Sequence, residues 1–384
     1  MKVTTYKRNE PFYNEWMKKE GLPVVTGYFV KDVKNIERTD WARTGQKGAF
    51  VDLHGMEGVT GMYIGEIRPG EAMHPQKHLY QQLVCILQGR GAAEVWLPGD
   101  EGNKISFEWK KGSLFAIPLN CGYQFYNVSS EPTIYLAVTD APILMDLIHH
   151  EDFIFNNDYR FTDRFSPKQD YFDNGERFVS PDNIKRVWET NLIPDVADAV
   201  LDFHARKGVN TRSTFFEMAG NSLVGHISSW PVGEYHKAHH HGGGDILLII
   251  RAKGYTLMWP KSAGERPYQN GNADKVIRAD WQEGSVFCPP TGWYHAHYNI
   301  GDEPARYLAL RFDSGILRHA VGFHLAHDPG DINGVPGLFV SHRLGGHLIE
   351  YEDEDPQIRI DYEEALKKNG VTSQMPPIVY RNEP

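Results

Sequence analysis

The side chains best suited to chemistry are three histidines in the C-terminal half of the chain. One residue separates His239 from His241, and His295 lies much further along the chain. In a strand, side chains two positions apart point to the same face, so His239 and His241 share a face that His295 can reach from a distant strand. Neutral imidazoles suit Fe, Ni, Cu, Zn and related divalent ions, and three protein ligands leave positions open for water, substrate or dioxygen. The pattern predicts a catalytic metal site.

Other polar residues near these histidines have less defined roles. His240 should point away from the proposed ligands, and His236 is either a substrate contact, a replacement ligand or neither. His297 has the same parity as His295, so it is either an acid or base in the pocket or a buried, hydrogen-bonded histidine. Arg311 either pairs with a substrate carboxylate or is exposed or salt-bridged.

The elements that position these residues occur twice in the chain. Residues 109–137 align without a gap on residues 281–309, which pairs Trp109 with Trp281 and Gly112 with Gly284. A block further upstream pairs His78 with His241. Such self-similarity predicts two copies of one structural unit.

Each copy consists of short apolar or alternating runs separated by Gly, Pro and Asn, for example residues 83–87, 92–97 and 133–138 in the first copy and 245–250 in the second. This is typical of strands and turns in an antiparallel sandwich or barrel. We therefore expect an all-β dominated protein with two tandem antiparallel sandwiches or barrels and a short helical connection.

Two motifs in the second copy resemble those of the cupin superfamily. The later motif is matched throughout by the five residues Gly284, Pro290, Gly292, His295 and Asn299. The earlier one is matched by Gly233, His239 and His241, but Asp245 stands where Glu is usual and Ala252 where Gly is usual. The resemblance implies a bicupin, with two tandem cupin-like antiparallel β-barrels of the double jelly-roll type in one chain.

The first copy keeps the pattern but loses the ligands. Gln76 stands in the place of His239, Gln82 in that of Asp245, and Tyr123 in that of His295, so only His78 remains. Amide and phenol groups are weak ligands compared with imidazole or carboxylate. We expect the metal site of the first barrel to be degenerate.

The functional hypotheses differ in whether the carboxylate of Asp245 binds the metal ion. Without its carboxylate the site is a neutral three-His face, and the resemblance to gentisate- and salicylate-type dioxygenases then implies an Fe(II) dioxygenase that acts on a small hydroxylated or aromatic acid. With it, the resemblance implies a Mn(II), Ni(II) or Zn(II) decarboxylase, isomerase or lyase. Because Asp is shorter than Glu, the first alternative is preferred. The third alternative is a non-catalytic, ligand-binding bicupin.

Composition restricts the partners. The 384 residues carry 50 acidic and 40 basic side chains, a formal charge of −10 that disfavours nucleic acid and anionic membrane surfaces. The polar start and the lack of a long apolar run predict a cytoplasmic protein without a membrane span. Cys85, Cys121 and Cys288 lie in apolar stretches and should be buried and unpaired. We expect a small-molecule substrate, dioxygen if the protein is an oxygenase, and a homo-oligomer by analogy with other bicupins.

The predicted boundaries are 1–155 for the first barrel with its N-terminal extension, 156–208 for a linker and 209–384 for the metal-binding barrel with a tail. Residues 197–208 are expected to form the short helix, and the acidic residues 350–355 to belong to a solvated tail. Aromatic walls of the pocket are expected from Trp230, Trp293 or Tyr298. We expect surface or interface positions for five further histidines, His319, His324, His327, His342 and His347.

Overall fold

The structure is a computed structural model that describes residues 10–168, 170–173, 175–179, 186–203, 209–312, 331–332 and 335–380. Four α-helices are described in these ranges: α1 (Phe12–Glu20), α2 (Ala141–Ile148), α3 (Glu151–Phe155) and α4 (Pro356–Lys368). Single turns of 3-10 helix lie at Val33–Asn35, Lys261–Ala263, Ala273–Lys275, Gly337–Phe339, His342–Leu344 and Pro377–Tyr380. The rest of the regular structure is strand.

The strands of the first half are β1 (Val24–Gly27), β2 (Phe29–Val30), β3 (Thr39–Trp41), β4 (Gln46–Leu53), β5 (Gly61–Ile67), β6 (Gln82–Gln88), β7 (Arg90–Trp96), β8 (Ile105–Lys110), β9 (Leu114–Ile117), β10 (Gly122–Asn127) and β11 (Thr133–Thr139). The strands that follow are β12 (Gly175–Val179), β13 (Arg186–Thr190), β14 (Leu192–Ile193), β15 (Asp202–Phe203), β16 (Arg212–Glu217), β17 (Leu223–Trp230), β18 (Ile246–Arg251), β19 (Gly254–Trp259), β20 (Ile277–Trp281), β21 (Val286–Phe287), β22 (Tyr294–Asn299), β23 (Ala305–Phe312), β24 (Asp331–Ile332) and β25 (Val335–Pro336).

Each half has one large and one three-stranded sheet, and the strand order repeats. The first large sheet runs β1-β4-β5-β11-β6-β9-β14, and the second runs β13-β16-β17-β23-β18-β21-β2 with β12 outside β13. The small sheets are β10-β7-β8 and β20-β19-β22. The fold class is confirmed: the protein is dominated by β structure and has two halves with the same strand order, although the described sheets do not close into rings.

Burial explains which strands form which layer. β8 alternates between buried and exposed residues, as expected for a strand with one solvated face. β11 is buried along its whole length because it lies in the middle of a sheet that is covered on both sides. The face shared between the two halves consists of aliphatic side chains from both copies, including Ile64, Leu136, Ile227 and Leu308.

The two halves exchange short strands at this interface. β2, from the N-terminal segment, pairs with β21 of the second half, and β14 pairs with β9 of the first. The main-chain contacts that follow are equivalent: Val33 N donates to Gly284 O at 2.9 Å, and Val196 N donates to Gly112 O at 2.8 Å. Strand pairing thus crosses the expected boundaries and ties the halves together.

Two expectations about the connecting segments need correction. Helical structure between the halves lies in α2 and α3. Residues 197–203 instead form a turn and the strand β15, which pairs with β16, whereas residues 204–208 of the expected helix lie outside the described residues. The segment 350–355 is not a solvated tail, because Tyr351, Glu354 and Asp355 are buried. Asp355 instead caps α4 by accepting a hydrogen bond from Gln357 N.

The three cysteines are buried and unpaired, as expected. Within the described ranges, none of the helices has the length and apolar character needed to cross a membrane.

Candidate metal centre

The main chain brings the segment that carries His239 and His241 against β22, which carries His295. His239 and His295 form an isolated antiparallel bridge, in which His239 N donates to His295 O at 3.1 Å and His295 N donates to His239 O at 2.9 Å. Next to it, Gly292 N donates to His241 O at 2.9 Å. Gly292 has a φ of 70°, in the region that favours glycine, so the turn before β22 can fold back towards His241.

The three imidazoles converge as the spacing predicts. One ring nitrogen from each of His239, His241 and His295 lies within 4.8 Å of the others. His239 and His295 are buried, and the side chain of His241 is 10% exposed. Across the described residues, this is the cluster of three or more His, Cys, Asp or Glu side chains whose spacing suits a metal ion.

Hydrogen bonds to the main chain orient all three rings. Nδ1 of His239 lies 3.0 Å from the carbonyl of Lys237, Nδ1 of His241 lies 2.8 Å from that of Gly242, and Nδ1 of His295 lies 3.1 Å from that of Trp293. A carbonyl only accepts, so each Nδ1 carries the proton and Nε2 keeps its lone pair. This arrangement is common for histidines that bind metal ions.

Asp245 lies beside the cluster. Its Oδ2 is 3.7 Å from Nε2 of His241, and its side chain is 14% exposed. The carboxylate therefore lies next to the position where an ion would bind, but it is not within the group of ligand atoms that the three histidines form.

His297 lies deeper inside the second half. Its Nδ1 is 2.9 Å from Thr256 Oγ1, and its ring centre is 5.5 Å from that of His295. The ring stacks on Trp230 at 4.8 Å. The shared parity with His295 is confirmed, and His297 both lines the interior and is hydrogen-bonded.

Arg311 is buried and points to the same inner face as Tyr307 and Ala309, so it is not exposed. Its Nη1 donates to Nδ1 of His226 at 3.0 Å. Asp245 directly precedes Ile246, whose partner in β23 is Leu310, so Asp245 and Arg311 lie at the same end of the interior.

The three aromatic residues expected in the pocket wall take different positions. Trp230 lines the interior and stacks on Tyr307 at 4.2 Å, and Trp293 lies near Tyr28 at 5.7 Å. Tyr298 instead points to the opposite side of β22, where it stacks on Tyr255 at 4.7 Å. Neighbouring positions in a strand face opposite ways, so Tyr298 cannot share the interior with His297.

The remaining histidines lie away from the cluster. His236 has both ring nitrogens in hydrogen bonds, to Trp230 Nε1 at 3.0 Å and to Thr211 Oγ1 at 2.8 Å, which indicates a structural role. His240 does point away from the ligands and stacks on His347 at 4.0 Å. The surface position expected for His347 is therefore wrong, because His347 is buried.

Nε2 of His342 lies 2.9 Å from Oδ2 of Asp353, and the His342 side chain is half-buried. The expectations for His319, His324 and His327 fall outside the described residues.

In the first half a tyrosine replaces the third imidazole. The hydroxyl of Tyr123 lies 3.0 Å from His78 Nε2, and Gln82 Oε1 accepts from Tyr63 at 2.8 Å. Burial lowers the pKa of His78 to about 3, which keeps the ring neutral. Gln76 turns its amide away to the carbonyl of Arg43.

Sequence reasoning missed Thr256, Tyr307 and His226, which line or support the interior. The alternation of β23 is a signal that indicates Tyr307, since it shares parity with Arg311. The other two residues become apparent only when β19 and β17 are placed against β22 and β23.

Comparison with known proteins gives a limited answer. No family model matches the chain, and no curated protein matches it in sequence. Oxalate decarboxylases are among the solved structures that resemble it. One, from Lactobacillus farciminis in a formate complex, is 12% identical, with 74% of this chain and 86% of that chain covered and a TM-score of 0.46. Another, from Bacillus subtilis and described for its Mn(II) centres, is 13% identical, with 75% and 78% covered and a TM-score of 0.46.

A third oxalate decarboxylase, described for an element that modulates proton-coupled electron transfer, is 12% identical over 75% and 78% of the two chains, with a TM-score of 0.47. Similarity at this level concerns the fold and assigns neither a substrate nor a metal to this chain. The resemblance to gentisate- and salicylate-type dioxygenases finds no support in these matches.

Proposed function

We propose that the second half is a mononuclear metal enzyme, with His239, His241 and His295 as ligands. The observation that supports this most directly is the convergence of three imidazoles whose Nδ1 atoms all face main-chain carbonyls. Nitrogen ligands of this kind suit Mn(II), Fe(II), Ni(II) and Zn(II), so the donor set fits a resident divalent ion.

The position of Asp245 favours the carboxylate-containing site. Because Oδ2 lies 3.7 Å from His241 Nε2, the carboxylate is within reach of an ion bound to that nitrogen and would add an anionic ligand to the three imidazoles. We propose Mn(II), with Ni(II) or Zn(II) as alternatives, and a decarboxylase, isomerase or lyase that acts on a small carboxylic acid. A bound divalent ion would act as a Lewis acid on a substrate oxygen.

The chain's own residues would bind the acid and control its protons. Arg311, at the same end of the interior as Asp245, would hold a substrate carboxylate through its guanidinium, and His226 fixes that group by accepting from Nη1. His297 would hold or transfer a proton from its ring nitrogen. Trp230 and Tyr307, whose rings stack on each other, would give the interior an aromatic, apolar side.

A second candidate is the Fe(II) dioxygenase acting on a hydroxylated or aromatic acid. It is favoured by one observation, namely that Asp245 does not belong to the group of mutually close ligand atoms. The three histidines would then form a neutral face with room for a substrate oxygen and dioxygen. A non-catalytic bicupin and a homo-oligomer remain further hypotheses without a specific contact to support them.

Elemental analysis of protein purified without chelators tests the metal centre first, with about one divalent ion per chain as the expected result. Each metal form is then assayed anaerobically and in air with small aliphatic carboxylic acids and hydroxylated aromatic acids. Turnover without oxygen consumption is expected from the main proposal. Stoichiometric oxygen uptake with the Fe(II) form would instead establish the dioxygenase, and bound metal without turnover of any acid would favour the ligand-binding protein.

A further inference from the structure

A loop of the first half lies against the loop that follows His241 and the loop that precedes His295. This loop, here called the 55–60 loop, consists of residues 55–60 between β4 and β5. We propose that it positions the metal centre, so that the first half, whose own ligands are degenerate, acts as a support for the site in the second. The inference rests on the metal centre proposed above.

The first contact fixes the loop that follows His241. Gly244 N donates to Gly55 O at 2.8 Å, and Thr60 Oγ1 donates to Gly244 O at 3.1 Å. Both main-chain polar groups of Gly244 are therefore bonded to the first half. Gly244 directly precedes Asp245, and it lies two residues after Gly242, whose carbonyl orients the ring of His241.

The second contact fixes the loop that precedes His295. Thr291 N donates to Glu57 Oε1 at 3.2 Å, and the hydroxyl of Thr291 donates to Glu57 Oε2. Thr291 lies two residues before Trp293, whose carbonyl accepts from His295 Nδ1. One loop thus binds next to the main-chain carbonyls that orient two of the three ligand rings.

Close packing leaves this arrangement little freedom. A Cβ atom on Gly55 would lie 2.2 Å from Cys288 O and 2.6 Å from Pro289 O, which is far inside van der Waals contact. A glycine is therefore required where the two main chains meet. Because groups that hold ligand-orienting carbonyls tune metal affinity, the distance between His241 and His295 should depend on the 55–60 loop.

Thr60→Val in the full-length protein tests the inference, because valine keeps the shape of threonine but removes the donor to Gly244. Thr44→Val is the matched control: Thr44 is also a buried threonine of the first half whose hydroxyl donates to a main-chain carbonyl, that of Trp41 at 3.3 Å. The readouts are Mn(II) affinity by titration and the electron paramagnetic resonance spectrum of the Mn(II)-loaded protein.

We expect Thr60→Val to weaken Mn(II) binding about fivefold and to broaden the Mn(II) spectrum, since one hydrogen bond to the ligand loop is lost. Thr60→Ser, which keeps the hydroxyl, should restore both, and Thr44→Val should match the wild type. If Thr60→Val does not fold, Glu57→Ala replaces it, because Glu57 is exposed and its loss should broaden the spectrum in the same way.

If Thr60→Val keeps the wild-type Mn(II) affinity and spectrum, the positioning role of the loop is overturned and the proposed metal centre is not affected. The same holds for Glu57→Ala where that variant replaces Thr60→Val. Equal effects of Thr60→Val and Thr44→Val would also overturn the positioning role, by indicating general destabilisation. A wild-type protein that binds no Mn(II), Fe(II), Ni(II) or Zn(II) would overturn the metal centre itself and the inference with it.

Discussion

His239 and His295 are joined by two main-chain hydrogen bonds, and Gln76 and Tyr123 are joined in the same way at the equivalent place in the first half, with both N–O distances at 2.9 Å. The backbone that brings two ligands together is therefore present twice, but only one copy carries imidazoles on it. The side chains on this bridge, and not the bridge itself, should therefore decide which half binds a metal ion.

His295→Ala should remove the metal while the protein stays folded. Losing one of three ligands should lower the metal content to about a tenth or less, while the free energy of unfolding of the apo protein falls by about 1–2 kcal/mol at most. Elemental analysis and circular dichroism measure the two effects. Tyr123→Phe is the matched control, because it removes a hydroxyl from the equivalent residue and should leave the metal content unchanged. Equal metal loss from both variants would contradict a single site in the second half.

Asp245→Asn distinguishes between the two models of the metal site, with and without the Asp245 carboxylate as a ligand. If the carboxylate joins the three imidazoles, the neutral amide should weaken Mn(II) binding about tenfold or more, because an anionic ligand is lost. If the site is a three-His face, the affinity should stay close to that of the wild type. Competition with a metal chelator at constant pH measures the difference. Little change in affinity, together with retained activity of the Fe(II) form, would favour the dioxygenase.

The repeat, the β class and the convergence of His239, His241 and His295 could be predicted because each leaves a signal in the sequence: the fixed offset between copies, the alternation of strands, and the His-X-His spacing together with the later motif around His295. The exchange of β2 and β14 between the halves could not be predicted, because a strand of two residues has no sequence pattern of its own. Tyr298 is expected in the pocket wall, but it follows His297 directly in β22, so strand parity puts it on the opposite face. The distance from Asp245 to His241 depends on how the loop after Gly242 folds, which spacing does not determine.

His297→Gln should lower kcat and leave metal content unchanged. His297 is not among the converging ligands, but its ring lies 5.5 Å from that of His295 and meets Thr256 Oγ1 at 2.9 Å. Loss of a proton-transfer group typically costs about 10²–10⁴-fold in rate. Steady-state kinetics with parallel metal analysis provide the test. Full activity would assign His297 a structural role, and loss of metal would make it a ligand.

The buried carboxyl group of Glu354 should make the free energy of unfolding decrease as the pH rises. Glu354 is buried and accepts from the hydroxyl of Tyr235 at 2.6 Å, with Asp355 and Arg359 as the nearby charges. Burial raises the pKa of Glu354 to about 8 from 4.5, so between these values the folded protein holds a proton that the unfolded chain has lost. The stability contributed by this group is therefore complete below pH 4.5 and decreases as the pH rises towards 8.

Glu354→Gln should remove this dependence, because glutamine keeps a carbonyl for Tyr235 and has no proton to lose. At pH 8 the variant should be more stable than the wild type by on the order of 3 kcal/mol, and near pH 4.5 the two should be similar. Denaturant unfolding of both proteins at several pH values measures the difference. Other buried acids, such as Asp140, whose pKa burial raises to about 7, contribute equally to both curves and cancel in the comparison. If the free energies of unfolding of the wild type and of Glu354→Gln change with pH in parallel, Glu354 is ionised in the folded protein. The fold would then hold a buried carboxylate beside Tyr235.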